Sequence, residues 1–259
     1  MRILLTNDDG ITAPGLKVLE EIAAGLAAPE DIWVVAPTFE QSGVGHCISY
    51  TRPLMIAELG ARRFAVEGSP ADCVIAGIHE ALPGRPDLVL SGVNKGNNAA
   101  ENALYSGTLG GALEGALQGI PAIGLSQYYG PANARANDPF EGARRHGVDV
   151  IKRVLEAGFE PEADYPLFYN VNFPPVMAED VRGMRAVPQG VRPGVHFTAE
   201  ASTAPNGRSF LWVRGGNQHV EVARDTDAGA NLAGYISVTP MRADLTAHDA
   251  LARVGEALR

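Results

Sequence analysis

The chain opens on an apolar run that stops abruptly at charged and flexible residues. Ile3, Leu4 and Leu5 form this run, and Asn7-Asp8-Asp9-Gly10 follows it almost at once. Consecutive apolar positions predict a strand that is buried on both faces, as in a parallel sheet covered by helices. The carboxyl ends of such strands are where open α/β sheets bind ligands. The opening pattern therefore predicts two carboxylates at a binding edge.

Helical and strand patterns alternate through the first 160 residues. The predicted helices cover 14–26, 70–82, 106–117 and 136–157, and the predicted strands cover 31–37, 87–90 and 121–125. A β-α-β opening of this kind predicts parallel strands joined by right-handed crossovers.

The pattern changes from about residue 162. Strands are predicted over 167–173 and 235–240, and the stretch 184–213 is rich in β-branched residues, Gly and Pro, with Pro205-Asn206-Gly207 as a hairpin turn. A closing helix is predicted over 244–258, whereas Asp227 is predicted to be a solvated loop residue.

These patterns predict an α/β fold with a Rossmann-like, mostly parallel sheet flanked by helices. Residues 1–160 are expected to form the Rossmann-like core. Residues 161–259 are expected to add a core-completing strand, a β-hairpin extension and a C-terminal helix, within one continuous domain.

Composition narrows the classes of partner. The 259 residues carry a formal net charge of -9, which disfavours nucleic-acid polymers and membrane surfaces because both need basic patches. The only two cysteines, Cys47 and Cys73, are too few for a disulfide scaffold and favour a reducing, cytoplasmic location. No apolar run reaches membrane-spanning length.

Three polar segments follow predicted strands at the same edge of the sheet. They contain Asp8 and Asp9, then Ser42, then Asn94. Such hard oxygen ligands suit Mg²⁺, Mn²⁺ or Ca²⁺. Adjacent carboxylates repel each other unless a proton or cation lies between them. From the residues alone, a plain turn at Asp8-Asp9-Gly10 and a metal site remain equally open.

A fourth segment, Tyr105-Ser106-Gly107-Thr108, precedes a predicted helix. Helix N-termini bind phosphate through free N–H groups, and Ser106 and Thr108 add hydroxyl donors. The simpler alternative is that Ser106 only caps the helix. Several nearby glycines, including Gly110, indicate close approach by a ligand or a neighbouring backbone. Neither a P-loop nor a dinucleotide-binding glycine motif is present.

Seven motifs, in order, resemble the SurE (stationary-phase survival protein) family of metal-dependent nucleotide phosphatases. They are Asn7-Asp8-Asp9-Gly10 with Ala13-Pro14-Gly15, Ala36-Pro37 with Gln41-Ser42-Gly43, Gly68-Ser69-Pro70-Ala71-Asp72-Cys73-Val74, Ser91-Gly92-Val93-Asn94, Tyr105-Ser106-Gly107-Thr108, Asn170-Val171-Asn172-Phe173-Pro174 and Gly234-Tyr235-Ile236-Ser237-Val238-Thr239-Pro240. The resemblance runs from Met1 to about His248.

The resemblance implies a site and an assembly. One divalent metal ion per subunit, Mg²⁺ or Mn²⁺ (with Ca²⁺ in crystals), would be held by Asp8, Asp9, Ser42 and Asn94. The phosphate would be bound by Asn98, Ser106, Gly107 and Thr108. Family members form dimers or tetramers that exchange C-terminal segments, so the extension is expected to serve in a homodimer or homotetramer.

The predicted reaction is hydrolysis of nucleoside 5′-monophosphates to nucleoside and phosphate, with 3′-nucleotides and short polyphosphate as further substrates. Its predicted catalytic residues are Asp8, Asp9, Asn98 and Ser106. One alternative is a haloacid-dehalogenase-type phosphatase with an aspartyl-phosphate intermediate, although such enzymes begin with Asp-x-Asp and these carboxylates are adjacent. Another alternative is a non-catalytic nucleotide- or metal-binding protein.

Overall fold

A nine-stranded sheet forms the centre of the protein, in a computed structural model that describes residues 1–259. The eleven strands of the chain are β1 (Ile3–Thr6), β2 (Ile32–Pro37), β3 (Ile56–Gly60), β4 (Arg63–Val66), β5 (Leu88–Lys95), β6 (Ala122–Gln127), β7 (Phe168–Phe173), β8 (Met184–Ala186), β9 (Thr198–Thr203), β10 (Ser209–Arg214) and β11 (Ile236–Met241). In the main sheet the order is β3-β4-β2-β1-β5-β6-β7-β11-β8, and β9 and β10 form a separate hairpin.

The sheet is mostly parallel, as predicted. Strands β4, β2, β1, β5, β6 and β7 run parallel to one another. Only β3 and β11 run against their neighbours β4 and β7. Parallel pairing brings the carboxyl ends of β1, β2 and β5 to one edge, and this edge carries the polar segments singled out above.

Six α-helices accompany the sheet. They are α1 (Pro14–Ala24), α2 (Pro70–Ala76), α3 (Gly107–Leu117), α4 (Glu141–Ala157), α5 (Asp227–Leu232) and α6 (Leu251–Ala257). No helix is both long enough and apolar enough to cross a membrane.

Apolar side chains cover both faces of the sheet. Ile3 and Leu5 of β1 pack in a cluster of 26 buried residues that includes the inner faces of α1 and α4. Leu4 points the other way, into a cluster of 14 that includes residues of α2 and α3. The opening apolar run is therefore buried on both faces, as predicted, because successive side chains of a strand alternate.

Several predicted boundaries were wrong. Strand β5 continues to Lys95, so Ser91-Gly92-Val93-Asn94 lies in the sheet rather than in a loop. The predicted helix 70–82 is α-helical only to Ala76 and then continues as a π-helical turn to Ala81. The hairpin β3–β4 was missed because β3 is an exposed edge strand without apolar alternation.

The C-terminal part completes the main sheet. Strands β7, β8 and β11 come from residues 161–259 and lie in the same sheet as β1. This arrangement supports one continuous domain, and the division at residue 160 stays a prediction. By contrast, every residue of β9 and β10 is exposed, and so is all of α6.

Candidate metal and phosphate site

Most of the predicted site residues surround one cavity at the carboxyl edge of the sheet. The cavity has a volume of about 240 Å³, and its lining includes Asp8, Ser42, Asn94, Asn98 and Ser106. Strands β1 and β5 bring the first and third segments together through the pairing of Thr6 with Ser91. The second segment joins them because the Gln41 N–H donates to the backbone oxygen of Asp8 at 2.7 Å.

Asp8 is a buried carboxylate that is held in one orientation. Its Oδ1 accepts a hydrogen bond from Thr108 Oγ1 at 2.6 Å, and the residue is 4% exposed. Burial raises the pKa of Asp8 to about 6, and the charge of Asp9 raises it further while the bonds from Thr108 oppose the rise. Its second oxygen, Oδ2, makes no hydrogen bond within the chain.

Asp9 is turned away from the cavity that Asp8 lines. Its Oδ2 accepts from the Lys95 N–H at 3.1 Å, and its side chain lines a neighbouring cavity of about 690 Å³. Burial raises its pKa, and the nearby charge of Glu40 adds to the rise. The backbone leaves the strand here, with Gly10 at a φ of 97°. The structure therefore brings three of the four predicted metal ligands to one cavity and places Asp9 beside them.

The donor set fits a divalent cation with a preference for oxygen. Neither Asp8 nor Asp9 takes part in an ion pair, although the positive charge of Lys95 opposes the rise in the pKa of Asp9. The Asn94 amide donates to the Gly96 oxygen at 3.1 Å, which leaves Asn94 Oδ1 without a partner. Ser42 Oγ donates to Glu40 Oε1 at 2.8 Å and keeps free lone pairs. Carboxylate, amide and hydroxyl oxygens with free lone pairs are the ligands that Mg²⁺ and Mn²⁺ prefer.

Ser106 both caps α3 and faces the cavity. Its Oγ accepts from the Leu109 N–H at 3.0 Å, so Ser106 is the N-cap of this helix. The hydroxyl proton remains free to donate into the cavity that Ser106 lines. Capping and anion binding are therefore compatible at this position.

Thr108 and Gly107 contact Asp8 but do not line the cavity. Thr108 is fully buried, its hydroxyl is committed to Asp8, and the structure does not bring it to the cavity. A Cβ at Gly107 would lie 2.8 Å from the Cβ of Asp8, so only glycine fits between α3 and this residue.

The helix α3 and the second polar segment approach each other through glycines, which the sequence pattern anticipated. A Cβ at Gly110 would overlap the backbone oxygen of Gly45. The same segment is tied to α3 by a contact of 2.7 Å between His46 Nε2 and Glu114 Oε2. The loop that carries Ser42 is therefore fixed against helix α3.

A buried amide network holds Asn98, and sequence reasoning missed this role. The Asn98 N–H donates to Asn172 Oδ1 at 2.7 Å, and Asn170 Nδ2 donates to the Asn98 oxygen at 2.9 Å. Asn98 Nδ2 donates to Ser126 Oγ at 2.8 Å. The second amide hydrogen and Oδ1 of Asn98 remain available at the cavity. The Asn-Val-Asn spacing on β7 was a usable signal, since i and i+2 share one face of a strand.

A second network anchors the adjacent segment 97–102 to the C-terminal part. The buried guanidinium of Arg192 donates to the Ala99 oxygen, to Glu101 Oε1 and to Asn97 Oδ1 at 2.7–3.1 Å. Asp227 accepts from the Ala100 N–H at 2.9 Å and is fully buried. The prediction of a solvated Asp227 was therefore wrong, because its backbone partners lie far away in the sequence.

Fold and site together define a Rossmann-like α/β protein with a cavity lined by carboxylate, amide and hydroxyl groups at the carboxyl edge of its sheet. Comparison with known proteins specifies the family. The family model for survival protein SurE matches residues 3–194. The chain belongs to the SurE family.

Similar proteins extend over the whole chain. A protein of Dinoroseobacter shibae named 5′-nucleotidase SurE is 65% identical over 260 residues, which cover 100% of both chains. One of the same name from Ruegeria pomeroyi is 64% identical over 253 residues, which cover 97% of both. The crystal structure of the SurE protein from Aquifex aeolicus superposes with a TM-score of 0.81 at 36% identity and full coverage of both chains. The family match does not favour the haloacid-dehalogenase-type alternative or a non-catalytic binding protein.

Proposed function

We propose that this protein is a metal-dependent 5′-nucleotidase that hydrolyses nucleoside 5′-monophosphates to nucleoside and phosphate. The full-length similarity to proteins named 5′-nucleotidase SurE supports the activity. The observation that carries the proposal is the convergence of oxygen ligands and anion donors on one cavity: Asp8 and Asn94 supply the oxygens, and Asn98 and Ser106 supply the donors.

One set of residues would bind the metal, and a second set would bind the phosphate. Asp8, Ser42 and Asn94 would hold the metal from the cavity that they line, and Asp9 would join them by turning from the Lys95 N–H toward the ion. The exposed position of Ser42 leaves it free to turn from Glu40 in the same way. Asn98, through its free amide hydrogen, and Ser106, through its hydroxyl, would donate to the phosphoryl oxygens. Gly107 allows this helix start to lie against Asp8, and Thr108 holds the Asp8 carboxylate rather than the phosphate.

Hydrolysis then needs an oriented water and a stabilised phosphoryl group. When bound, a divalent ion would polarise a phosphoryl oxygen and lower the pKa of water. Asp8 has one oxygen fixed by Thr108 and one free, so it can orient the attacking water and take its proton. The water oxygen bonds to phosphorus as the bond from phosphorus to the ribose oxygen breaks, and the leaving oxygen takes a proton from solvent. Asn98 and Ser106 stabilise the charge on the remaining oxygens.

The test combines metal binding with phosphate release. Wild-type protein is expected to release phosphate from AMP with Mn²⁺ or Mg²⁺ and to lose this activity with a chelator. Asp8→Asn is expected to lower both Mn²⁺ affinity by calorimetry and turnover by at least 100-fold, whereas Asp164→Asn, an exposed carboxylate far from the cavity, leaves both unchanged. Survival of both metal affinity and activity in Asp8→Asn would refute the assignment.

The physiological metal and the substrate range belong to the same proposal. Hard oxygen donors support Mg²⁺ or Mn²⁺. A panel of 5′-nucleotides, 3′-nucleotides and short polyphosphate, crossed with both metals, tests the expected preference for 5′-monophosphates. A larger kcat/KM for polyphosphate than for any nucleotide would contradict it.

The C-terminal extension supports an oligomer. Phe210, Leu211, Trp212 and Val213 on β10 are each at least half exposed, and Leu251, Val254 and Leu258 add apolar surface near the C-terminus. Exposed apolar side chains in such number mark interaction sites. We therefore propose a homodimer or homotetramer formed through residues 161–259, located in the cytoplasm, where both free cysteines would stay reduced. Light scattering of a chain with Trp212→Lys and Leu211→Glu is expected to show a smaller species, and an unchanged mass would refute the interface.

A further inference from the structure

The proposed metal ligand Ser42 lies on a loop, and contacts on both sides of it hold that loop in place. The Ser42 loop, which we define as residues 38–51, follows β2 and contains no helix or strand. Before Ser42, the loop is held by its backbone bond to Asp8 described above. After Ser42, the Gly45 N–H donates to the Tyr105 oxygen at 3.0 Å. The position of Ser42 therefore depends on both anchors.

His46 supplies the only side chain of the Ser42 loop that bonds to a residue outside the loop. Its Nε2 lies 2.7 Å from Glu114 Oε2, on helix α3. The loop also contacts the start of α2, but there its own backbone makes the bonds, at Cys47 and Ser49. A substitution of His46 therefore removes one anchor and leaves the groups that make the other contacts unchanged.

Glu114 is a buried carboxylate, and His46 is its only basic partner. The residue is 5% exposed, and no lysine or arginine pairs with it. Burial acts to raise the pKa of Glu114, but hydrogen bonds with His46 and Gln118 act to lower it, and the pKa lies below its ordinary value. Because an ionised carboxylate can only accept, His46 Nε2 carries the proton between the two groups. Such a charge-assisted bond is stronger than one between neutral groups.

The contact joins the metal side of the site to the phosphate side. Helix α3 begins directly after its N-cap Ser106, and Glu114 lies about two turns further along the same helix. Gly110 lies one turn before Glu114 on the same helix face and packs against the backbone of Gly45. The spacing between Ser42 and Ser106 is therefore set where the loop meets this face of α3.

We propose that His46 is a positioning residue that, through Glu114, holds Ser42 within reach of the metal. The proposal rests on the metal-dependent function proposed above. The other ligands at this cavity, Asp8 and Asn94, directly follow or belong to strands of the sheet, so only the ligand on the loop needs such an anchor. His46 itself does not line the cavity. Without this anchor, metal binding has to order the loop, and the cost of ordering lowers the affinity.

The test compares two amides of different length at position 46. Asparagine and glutamine carry the same amide donor, but only glutamine extends as far as the Nε2 of histidine. For His46→Asn, we expect Mn²⁺ affinity by calorimetry to fall about 10-fold, as for other residues that orient metal ligands. For His46→Gln, we expect affinity within about threefold of wild type. With saturating Mn²⁺ and AMP, kcat of both variants should stay within about threefold, because the metal then orders the loop. The matched control is His79→Asn, at an exposed histidine on the π-helical turn, and it should change neither quantity.

A second readout needs no catalysis. Hydrogen exchange of the metal-free protein at the Gly45 amide, which donates to Tyr105, measures how firmly the loop is held. We expect exchange about 10-fold faster in His46→Asn than in wild type, and near the wild-type rate in His46→Gln. Added Mn²⁺ should restore protection in His46→Asn.

Unchanged Mn²⁺ affinity in His46→Asn would overturn the proposal, even with lower thermal stability, because the pair would then only hold the fold together. Equal losses of affinity in His46→Asn and His46→Gln, or a loss of kcat that saturating Mn²⁺ does not restore, would overturn it as well. If His46→Asn does not fold, Glu114→Gln replaces it, with lower Mn²⁺ affinity expected and unchanged affinity as the refuting result. If the wild type binds Mn²⁺ but releases no phosphate from AMP, the proposed function fails, while the affinities still decide the role of His46.

Discussion

The buried carboxylate of Asp8 destabilises the metal-free protein, and the cost can be measured. The residue is 4% exposed and its pKa is raised from 3.8 to about 6, chiefly by burial. The folded state therefore holds this proton more tightly than the unfolded chain does. The free energy of unfolding consequently falls as the pH rises from 3.8 through about 6, and the loss is complete above that range. At about 1.36 kcal/mol per pKa unit, the cost is roughly 3 kcal/mol at pH 7.5.

Asp8→Asn removes this cost and retains an acceptor for Thr108. We expect the metal-free variant to be more stable than the metal-free wild type by up to about 3 kcal/mol above pH 7, with the difference shrinking toward pH 4. Urea unfolding followed by circular dichroism in EDTA, over a series of pH values, measures it. Added Mn²⁺ should stabilise the wild type by mass action and leave the variant unchanged.

The control is Asp164→Asn, which removes the charge of an exposed carboxylate and is expected to change stability by less than about 0.5 kcal/mol. Equal stability of wild type and Asp8→Asn across the pH series would show that Asp8 is not an uncompensated buried carboxylate. A cation would then not be needed to balance the charge of Asp8 in the folded protein.

Three further substitutions test the residues that hold the site in place. Thr108→Val removes the hydrogen bond to Asp8 and should lower Mn²⁺ affinity about 10- to 100-fold by calorimetry. The control, Thr239→Val, deletes a buried hydroxyl that has no partner, so it should leave Mn²⁺ affinity unchanged and the stability of the fold unchanged or raised. Equal effects of the two substitutions on Mn²⁺ affinity would refute the role of Thr108. Gly110→Ala forces a Cβ into a backbone oxygen and should cost about 1–3 kcal/mol in urea unfolding with a parallel loss of activity, and an unchanged midpoint would contradict the close packing. Arg192→Met should lower the free energy of unfolding by about 2 kcal/mol. This is less than the ~3–5 kcal/mol of a fully buried ion pair, because the partner carboxylate of Glu101 is 26% exposed. A rise in stability would contradict the role of Arg192 in anchoring segment 97–102.

Local sequence patterns identified the elements that bury continuous apolar stretches. Strand β1 and helix α1 were predicted nearly to the residue, because an element that faces the core carries apolar residues at the spacing of its own secondary structure. The edge strand β3 has no such constraint, since its exposed residues carry no alternation. Strand β5 was cut short at Leu90 because its polar continuation is held in the sheet by pairing with β6, and at Ser91 also with β1, and this pairing is not a local property.

The sequence by itself determined the chemical types at the site and their order along the chain. Asn7-Asp8-Asp9-Gly10, Ser42, Asn94 and Ser106 each follow or precede a recognisable element, so their gathering at one edge follows from a parallel sheet.

Only the tertiary structure decided how each side chain is used. It turned Asp9 toward Lys95, committed Thr108 to Asp8 and buried Asp227 beneath segment 97–102. It also brought Phe197 to Tyr105 across 92 positions of the sequence. These outcomes depend on hydrogen bonds and burial between segments far apart in the chain, and local residue patterns carry no information about such partners.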